Sequence, residues 1–341
     1  MKKLAWYDRI VFFFNSLLAT LLLLGYALPF IPPQVFPALS VLTLLIPILI
    51  VINLLFLVYW GIRLKKQMLV SGLVLLLGIG HVFSLFNFTG TAFAKADEGV
   101  SIMSYNVRSF NLYDWKKDAQ IPKRITDFVE EQSADVVCLQ EYHSRAKLDP
   151  NKYPYRYKKM RGKKERMGQI IYSKYPIVGK GSLDFENTVN NVIYADIVKD
   201  KDTIRVYNVH LESLRVEPQL ENLQQQNSRK LLGRLGNSFS KQQEQAEVFI
   251  QHQQACPHPY FIAGDFNNSA FSYVYRRIKN NHVDAFDQEG SGFGKTFTFD
   301  FIPLRIDFLL VPDSYEVRQF QNYEEIEFSD HYPIIGRFVK S

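Results

Sequence analysis

Three apolar runs stand one after another near the amino terminus, at about Ile10–Phe30, Ala38–Trp60 and Met68–Phe88. They contain no charged side chain and a single histidine, His81. Each is roughly 20 residues long, enough to cross a hydrocarbon layer as a helix. Charge-free runs of this length rarely occur three times in a soluble bundle, so the pattern predicts three transmembrane helices. Pro29, Pro32, Pro33 and Pro37 punctuate the first link, and Pro47 would kink the second span without forbidding it. The later stretch "TAFAKAD" has an A-x-A look. A single cleaved leader nevertheless does not fit an apolar region that repeats.

Charge divides the 341 residues into two parts. Of the chain's 34 acids and 40 bases, residues 1–94 hold one acid, Asp8, and six bases, so all but one of the six excess positive charges belong to this part. The remainder is nearly neutral, and global basicity therefore offers no argument for nucleic acid. We divide the chain into an anchor, 1–94, and a second domain, 95–341. Lys2, Lys3 and Arg9 precede the first span, and Arg63, Lys65 and Lys66 lie between the second and third. The first link, "IPPQVFP", has no base. The positive-inside rule then assigns the amino terminus to the cytoplasm of a cell-membrane protein, and three spans deliver the second domain to the opposite side. The two cysteines, Cys138 and Cys256, form no metal-binding pattern and read as buried free thiols, with a single bond between them left open.

From Gly99 onward, short apolar or alternating runs alternate with helical ones. "VSIMSYNV", "DVVCLQEY", "GQIIYSK", "VIYADIV", "TIRVYNVHL", "YFIAGDF", "KTFTFDF", "RIDFLLV" and "IIGRFV" read as strands. "KRITDFVEEQ" reads as a helix, and so does the polar stretch from about Gln219 to Gln254, broken near Gly233 and Gly236. The mixture favours two packed sheets with helices outside, without excluding another α/β arrangement.

The ends of these strands are unusual, because they carry charged, amide or imidazole groups. They are Asn106 in "SYNVR", Glu141 in "LQEY", His210 in "NVHLES", Asp265 with Asn267 in "AGDFN", and Arg305 with Asp307 in "RIDF". Asp330 and His331 in "SDHYPI" complete the set. Alternation along an extended chain predicts that Asp265 and Asn267 face one side together, and likewise Arg305 and Asp307. Asn106, Glu141, Asp265, Asn267, Asp307 and Asp330 are hard oxygen donors, suited to magnesium, manganese or calcium rather than zinc. Such an ion commonly grips a phosphate, and His210 and His331 supply N–H donors for its other oxygens. This is chemistry for in-line attack of water on phosphorus. "GSGFGKT" lacks the spacing of a phosphate-binding loop and reads as a turn. His81 reads as a polar contact between helices, and His143, His252, His258 and His282 as surface or loop residues.

In series, "SYNVR", "LQE", "GQIIYSKYPI", "YNVHLES", "AGDFN", "RIDFLLV" and "SDHYPI" resemble the endonuclease/exonuclease/phosphatase superfamily, the DNase I-like fold, over about Val100–Val339. The resemblance implies a four-layered α/β sandwich, two mixed sheets flanked by helices, with the site at one rim. It implies Glu141 as the main metal ligand, with Asn106 beside it and Asp330 assisting metal or water. Asp265 orients or deprotonates the attacking water, and Asn267 touches water or phosphate. His331, held by Asp307, stabilises charge on the phosphorane, and His210 is a second phosphate contact, with Glu212 a candidate partner for it. The cofactor implied is Mg2+, with Mn2+ as a substitute. The expected activity is a membrane-anchored phosphodiester hydrolase acting on a lipid headgroup or small diester. A nuclease and a non-catalytic binding protein are the alternatives. The partners expected are the lipid bilayer and the phosphoester; nothing calls for a protein. The basic stretch 152–166, "KYPYRYKKMRGKKER", reads as a solvated hairpin or as a polyanion surface through Lys158, Lys159, Lys163 and Lys164.

Overall fold

The structure, a computed structural model, describes residues 4–88, 90, 98–162, 167–214, 228–299 and 302–341. The expectations placed on "TAFAKAD", on Lys163 and Lys164 and on the start of the Gln219 stretch lie outside these residues.

Apolar side chains shape the first part from outside inward. α1 (Trp6–Gly25), a short α2 (Pro37–Val41), α3 (Ile46–Ile62), α4 (Met68–Leu77) and α5 (Ile79–Leu85) pack together. Two helical stretches, Trp6–Phe30 and Pro37–Ile62, are long and apolar enough to cross a membrane. The third run is a pair, α4 and α5, bent by 79°, so the helices offer two such spans, or three if the bent pair counts as one. The bend falls at Gly78, which ends α4. The polarity of the bundle is compatible with a membrane. Leu24, Leu55, Leu69 and Leu73 are more than half exposed, whereas Asn15, Asn53, Ser71 and Trp60 are buried. Asn15 donates to Ser71 at 2.6 Å, Ser71 to Asn53 at 3.1 Å, and the Trp60 indole to Asn15 at 2.9 Å. Buried polar groups satisfy one another in this way.

The second part contains two six-stranded mixed sheets flanked by helices, an α/β sandwich. The first sheet has the order β11-β12-β1-β2-β4-β3 and the second β5-β6-β7-β8-β10-β9. The strands are β1 Val100–Asn106, β2 Val136–Tyr142, β3 Tyr155–Arg161, β4 Met167–Ser173, β5 Ile177–Ser182, β6 Asn191–Lys199, β7 Asp202–His210, β8 Tyr260–Asp265, β9 Val283–Asp284, β10 Asp307–Val311, β11 Tyr315–Asn322 and β12 Ile334–Lys340. β1 runs parallel to β2 and β7 to β8, while the other pairs are antiparallel. Ile102, Val136, Val206 and Phe261 fill the space between the sheets. α6 (Ile121–Gln132) covers the first sheet through Ile125 and Val129. α7 (Ser228–Gln254) and α8 (Tyr273–Lys279) cover the second through Phe249, Val274 and Ile278. Between the sheets Gln140 donates to Asn208 at 2.8 Å, and Asn208 donates to the carbonyls of Leu139 and Ile170. This buried amide bridge fixes how the sheets sit on each other.

Three local expectations are corrected. α7 is unbroken through Gly233 and Gly236. Each glycine costs a helix only about 1 kcal/mol, less than packing on its buried face supplies. At Gly236 a Cβ would lie 2.9 Å from Pro37, so this glycine lets the first link approach. "KTFTFDF" is not a strand: among its described residues only Phe297 makes isolated bridges, to Leu304 and His331. Cys138 is buried as expected, but Cys256 is half-buried, and both are free. "GSGFGKT" is a turn, with positive φ at Gly292 and Gly294.

Hydrogen bonds join the two parts at the first link and around the end of α5. Gln34 of the first link donates its backbone N–H to Gln243 of α7 at 3.0 Å, and Arg276 donates to the Pro29 carbonyl at 2.9 Å. After α5, Asn87 pairs with Gly292 in both directions at 2.9 Å and caps the carbonyls of Phe286 and Asp287. The pair of Asp8 with Arg63 stands elsewhere, joining the start of α1 to the end of α3.

Candidate active site

Topology explains why residues scattered over two hundred positions meet. Asn106 ends β1, Glu141 lies near the end of β2, His210 ends β7 and Asp265 ends β8. Asp307 begins β10, and His331 stands three residues before β12; both strands run antiparallel to their neighbours. In register, His210 lies opposite Asp265, and Asp265 opposite Asp307, so three of these groups form one row across the second sheet. The other sheet brings Asn106, Glu141 and His331 to the same rim. Gly264 makes the row close: its φ is 144°, and a Cβ there would fall 2.0 Å from the Val209 carbonyl oxygen.

Asp265 is the hub. Its Oδ2 accepts from the Asn106 amide at 3.0 Å and the Asn267 amide at 3.2 Å, and its Oδ1 from the Asn267 backbone N–H at 2.7 Å. The same Oδ2 lies 3.7 Å from His331 Nε2 and 3.8 Å from His210 Nε2. His331 Nδ1–H donates to Asp307 Oδ2 at 2.9 Å. Phe297 closes one side, its ring 4.8 Å from the imidazole. His210 Nε2 also stands 3.9 Å from Glu141 Oε1. Ser329 donates to the Asn106 carbonyl at 2.8 Å and accepts from the His331 N–H at 3.3 Å, tying the "SDHYPI" loop to the end of β1.

Burial and charge set the protonation states. Burial alone lowers the His331 imidazole, but the carboxylates of Asp307 and Asp265 outweigh it and push the pKa up to about 10. It is therefore an imidazolium. Burial, aided by that cation, lowers His210 to about 3, leaving it neutral. Burial raises the Asp265 carboxyl despite the pull of His331, which makes it a stronger proton acceptor than an ordinary aspartate. Glu141 keeps 29 % of its side chain open, and desolvation followed by repulsion from Asp330 raises it. Its backbone sits at φ 48°, a left-handed conformation that an extended strand does not need.

The donor set fits a hard divalent cation. Glu141 and Asp330 repel each other, a conflict that a cation relieves, and buried Asp307 Oδ1 has no hydrogen-bond partner among the described residues. Among the described residues Asp265, Asp307 and His331 also bring ligand atoms within 4.8 Å of one another. We read that trio as a charge network, since an imidazolium whose Nδ1–H is already donated has no lone pair to offer a metal.

Of the nine residues singled out at strand ends and in "SDHYPI", all but Arg305 reach this rim. Two of the reasons change. Asn267 reaches Asp265 because the chain turns after β8, with φ 50° at Asn267, and not by alternation along a strand. Arg305 does not share a face with Asp307. It precedes β10 and is buried against Asp284 at 2.6 Å and Asp287 at 3.3 Å, also donating to the Ser84 carbonyl. Glu212 accepts from Thr188 at 2.7 Å and lies near Lys241. Asp330 pairs with Arg108 at 3.2 Å, and Arg108 stacks on Trp115 at 4.5 Å. Arg108 and Ser329 lie inside the quoted motifs, but the sequence assigns them no role. Much of the basic stretch is already engaged: Lys159 and Arg161 pair with Asp184, and Lys152 with Glu130. His252 and His282 are packed residues, against Tyr194 and Tyr260.

The family model for the endonuclease/exonuclease/phosphatase family matches residues 103–331, two thirds of the chain. The chain belongs to this family. Members of the family are hydrolases of phosphoesters that generally require a divalent metal. A second model, for a domain of unknown function, matches residues 8–85. No curated protein matches the chain in sequence. Several solved structures share its fold. A family protein from Bacteroides thetaiotaomicron is 18 % identical, with a TM-score of 0.52 over 71 % of this chain and 98 % of that one. The human Nocturnin catalytic domain with a bound sulfate anion is 15 % identical, with a TM-score of 0.55 over 73 % and 97 %. A mannosyl-6-phosphatase from Bacteroides thetaiotaomicron is 17 % identical, with a TM-score of 0.50 over 70 % and 99 %.

Proposed function

We propose that this chain is a magnesium-dependent phosphodiester hydrolase whose residues 1–94 anchor it in the cell membrane and whose residues 95–341 act outside the cytoplasm. The observation that carries the reading is the Asp265 carboxylate, buried between a charged His331 and a neutral His210 and beside an open Glu141. Asp265, held by Asn106 and Asn267, accepts a proton from the attacking water as its oxygen bonds to phosphorus. The opposite P–O ester bond then breaks and the alcohol leaves. His331, fixed by Asp307, donates from Nε2 to the charge that builds on the phosphoryl oxygens. His210, as a neutral imidazole, donates one further N–H. Glu141 and Asn106, with Asp330 nearby, would hold the magnesium ion, or manganese in its stead, which supplies Lewis-acid charge at a phosphoryl oxygen.

The orientation draws on where the parts meet. The first link and the end of α5 both lean on the catalytic part, whereas the basic residues Arg63, Lys65 and Lys66 follow α3 near Asp8. Under the positive-inside rule this arrangement supports a cytoplasmic amino terminus and an extracytoplasmic catalytic part.

The test is hydrolysis by the full chain in nanodiscs, with magnesium or a chelator, of bis(p-nitrophenyl) phosphate, plasmid DNA, RNA and mixed phospholipids. Metal-dependent release of p-nitrophenolate is expected. Preferential cleavage of DNA or RNA would replace this reading with a nuclease, and no cleavage of any substrate would end it.

A further inference from the structure

Both loops that lead into the site rest on the apolar helices. After Asp265 the chain runs through Asn267 to Phe271, which is buried in one cluster with Leu22, Ile46, Ile50 and Leu85 and stacks on His81 at 5.9 Å. Before Asp307 the segment around Phe297 has two faces. On one, Thr296 Oγ1 accepts from the N–H groups of Ile306 and Asp307, and Phe297 lies against His331. On the other, Phe293, Lys295 and Pro303 join Pro47, Ile48 and Val51 of α3 around a groove of about 480 Å³. That helix is one of those able to cross a membrane, and its Ile48 and Val51 are exposed. Phe293 is exposed as well and packs on Phe86, which in turn packs on exposed Phe88. One ammonium interrupts the apolar lining: Lys295 Nζ stands 5.1 Å from the ring of Tyr332, the residue after His331.

We propose that this groove takes one acyl chain of a bilayer phospholipid and so delivers its phosphodiester to the site, with Lys295 meeting the anionic headgroup. The proposal rests on the phosphodiesterase reading and names its substrate class. Three features select a lipid as the occupant. One wall is a span that a bilayer surrounds, the lining is apolar up to a single cation, and one residue separates that cation from the ring against His331. An acyl chain leaves one apolar medium for another on entering, so the groove supplies position more than affinity. Groove changes should therefore act on kcat more than on the apparent KM for lipid.

The experiment uses the full chain in nanodiscs of phosphatidylethanolamine and phosphatidylglycerol, doped with a phosphatidylglycerol carrying a diazirine on one acyl chain. Photolysis is expected to label Phe293, Lys295 or Pro303 as well as α3, and Val51→Trp, which fills the groove, should cut the loop labelling at least fivefold. In the same variant the ratio of kcat for vesicle lipid to kcat for bis(p-nitrophenyl) phosphate should fall at least tenfold. Pro303→Trp blocks from the opposite wall and serves if Val51→Trp fails to insert. Labelling confined to the helices, or an unchanged ratio in a variant that folds, overturns the proposal. If the wild-type chain cleaves no phosphoester, the functional reading fails and labelling alone decides: a labelled loop keeps the groove as a lipid site, and an unlabelled loop removes it.

Discussion

Asp307→Asn separates the charge of the His331–Asp307 pair from its shape. The amide keeps the volume and a polar group at Nδ1, but it removes the carboxylate that most raises a buried imidazole otherwise lowered by desolvation. With a pKa of about 10 the wild-type ring is almost fully protonated at pH 8. If the variant returns to the ordinary 6.5, about 3 % remains protonated at pH 8 and about three quarters at pH 6. Hydrolysis of bis(p-nitrophenyl) phosphate at saturating magnesium should then fall about 30-fold at pH 8 and less than twofold at pH 6. The stability consequence has a definite sign. A raised folded pKa stabilises fully below the unfolded value of 6.5 and is lost as pH rises through about 10, so Asp307→Asn should destabilise most at neutral and acid pH. A loss of activity equal at every pH between 6 and 9, or no loss at pH 8, would refute the charge assignment.

Glu141→Gln, at the open oxygen donor, should raise the magnesium concentration for half-maximal activity by about tenfold or more, and an unchanged titration would remove Glu141 from the ion's site. Arg305→Met strands Asp284 and Asp287 without their buried cation, and should cost about 3–5 kcal/mol, read as a lower urea midpoint; a midpoint within error of wild type would contradict this. Gly236→Val drives a side chain into Pro37 and should cost about 1–3 kcal/mol of docking. Cross-linking between cysteines placed at Gln34 and Gln243 should fall in that variant, and an equal yield would mean that the first link does not rest on α7.

The site was more legible in the sequence than the fold around it. Polar residues at the ends of apolar strands conflict with burial unless they serve one another, and that conflict marked Asn106, Glu141, His210, Asp265, Asp307 and His331. Which strands adjoin was not readable, since the register that lines up His210, Asp265 and Asp307 comes from nonlocal pairing. β5 and β11 give no clear strand signal because they lie on sheet margins with exposed residues, which blurs the apolar pattern. Arg305 departs from its expected face for a related reason: alternation applies only once a strand has begun, and β10 begins at Asp307. The Gln34–Gln243 contact joins residues 209 positions apart and left no local trace. Gly236 did leave one, as an interruption in a helical pattern, but the interruption marked a close approach instead of a break.

The central claim is that one rim gathers a metal-assisted site for water attack on a phosphodiester. Its most direct test is the turnover of bis(p-nitrophenyl) phosphate by wild-type and His331→Ala chains in the same nanodiscs, with magnesium and after chelation. The account predicts hydrolysis that chelation abolishes and that His331→Ala reduces by about a hundredfold to a thousandfold. Turnover that survives chelation, or that is equal in the two proteins, would contradict it.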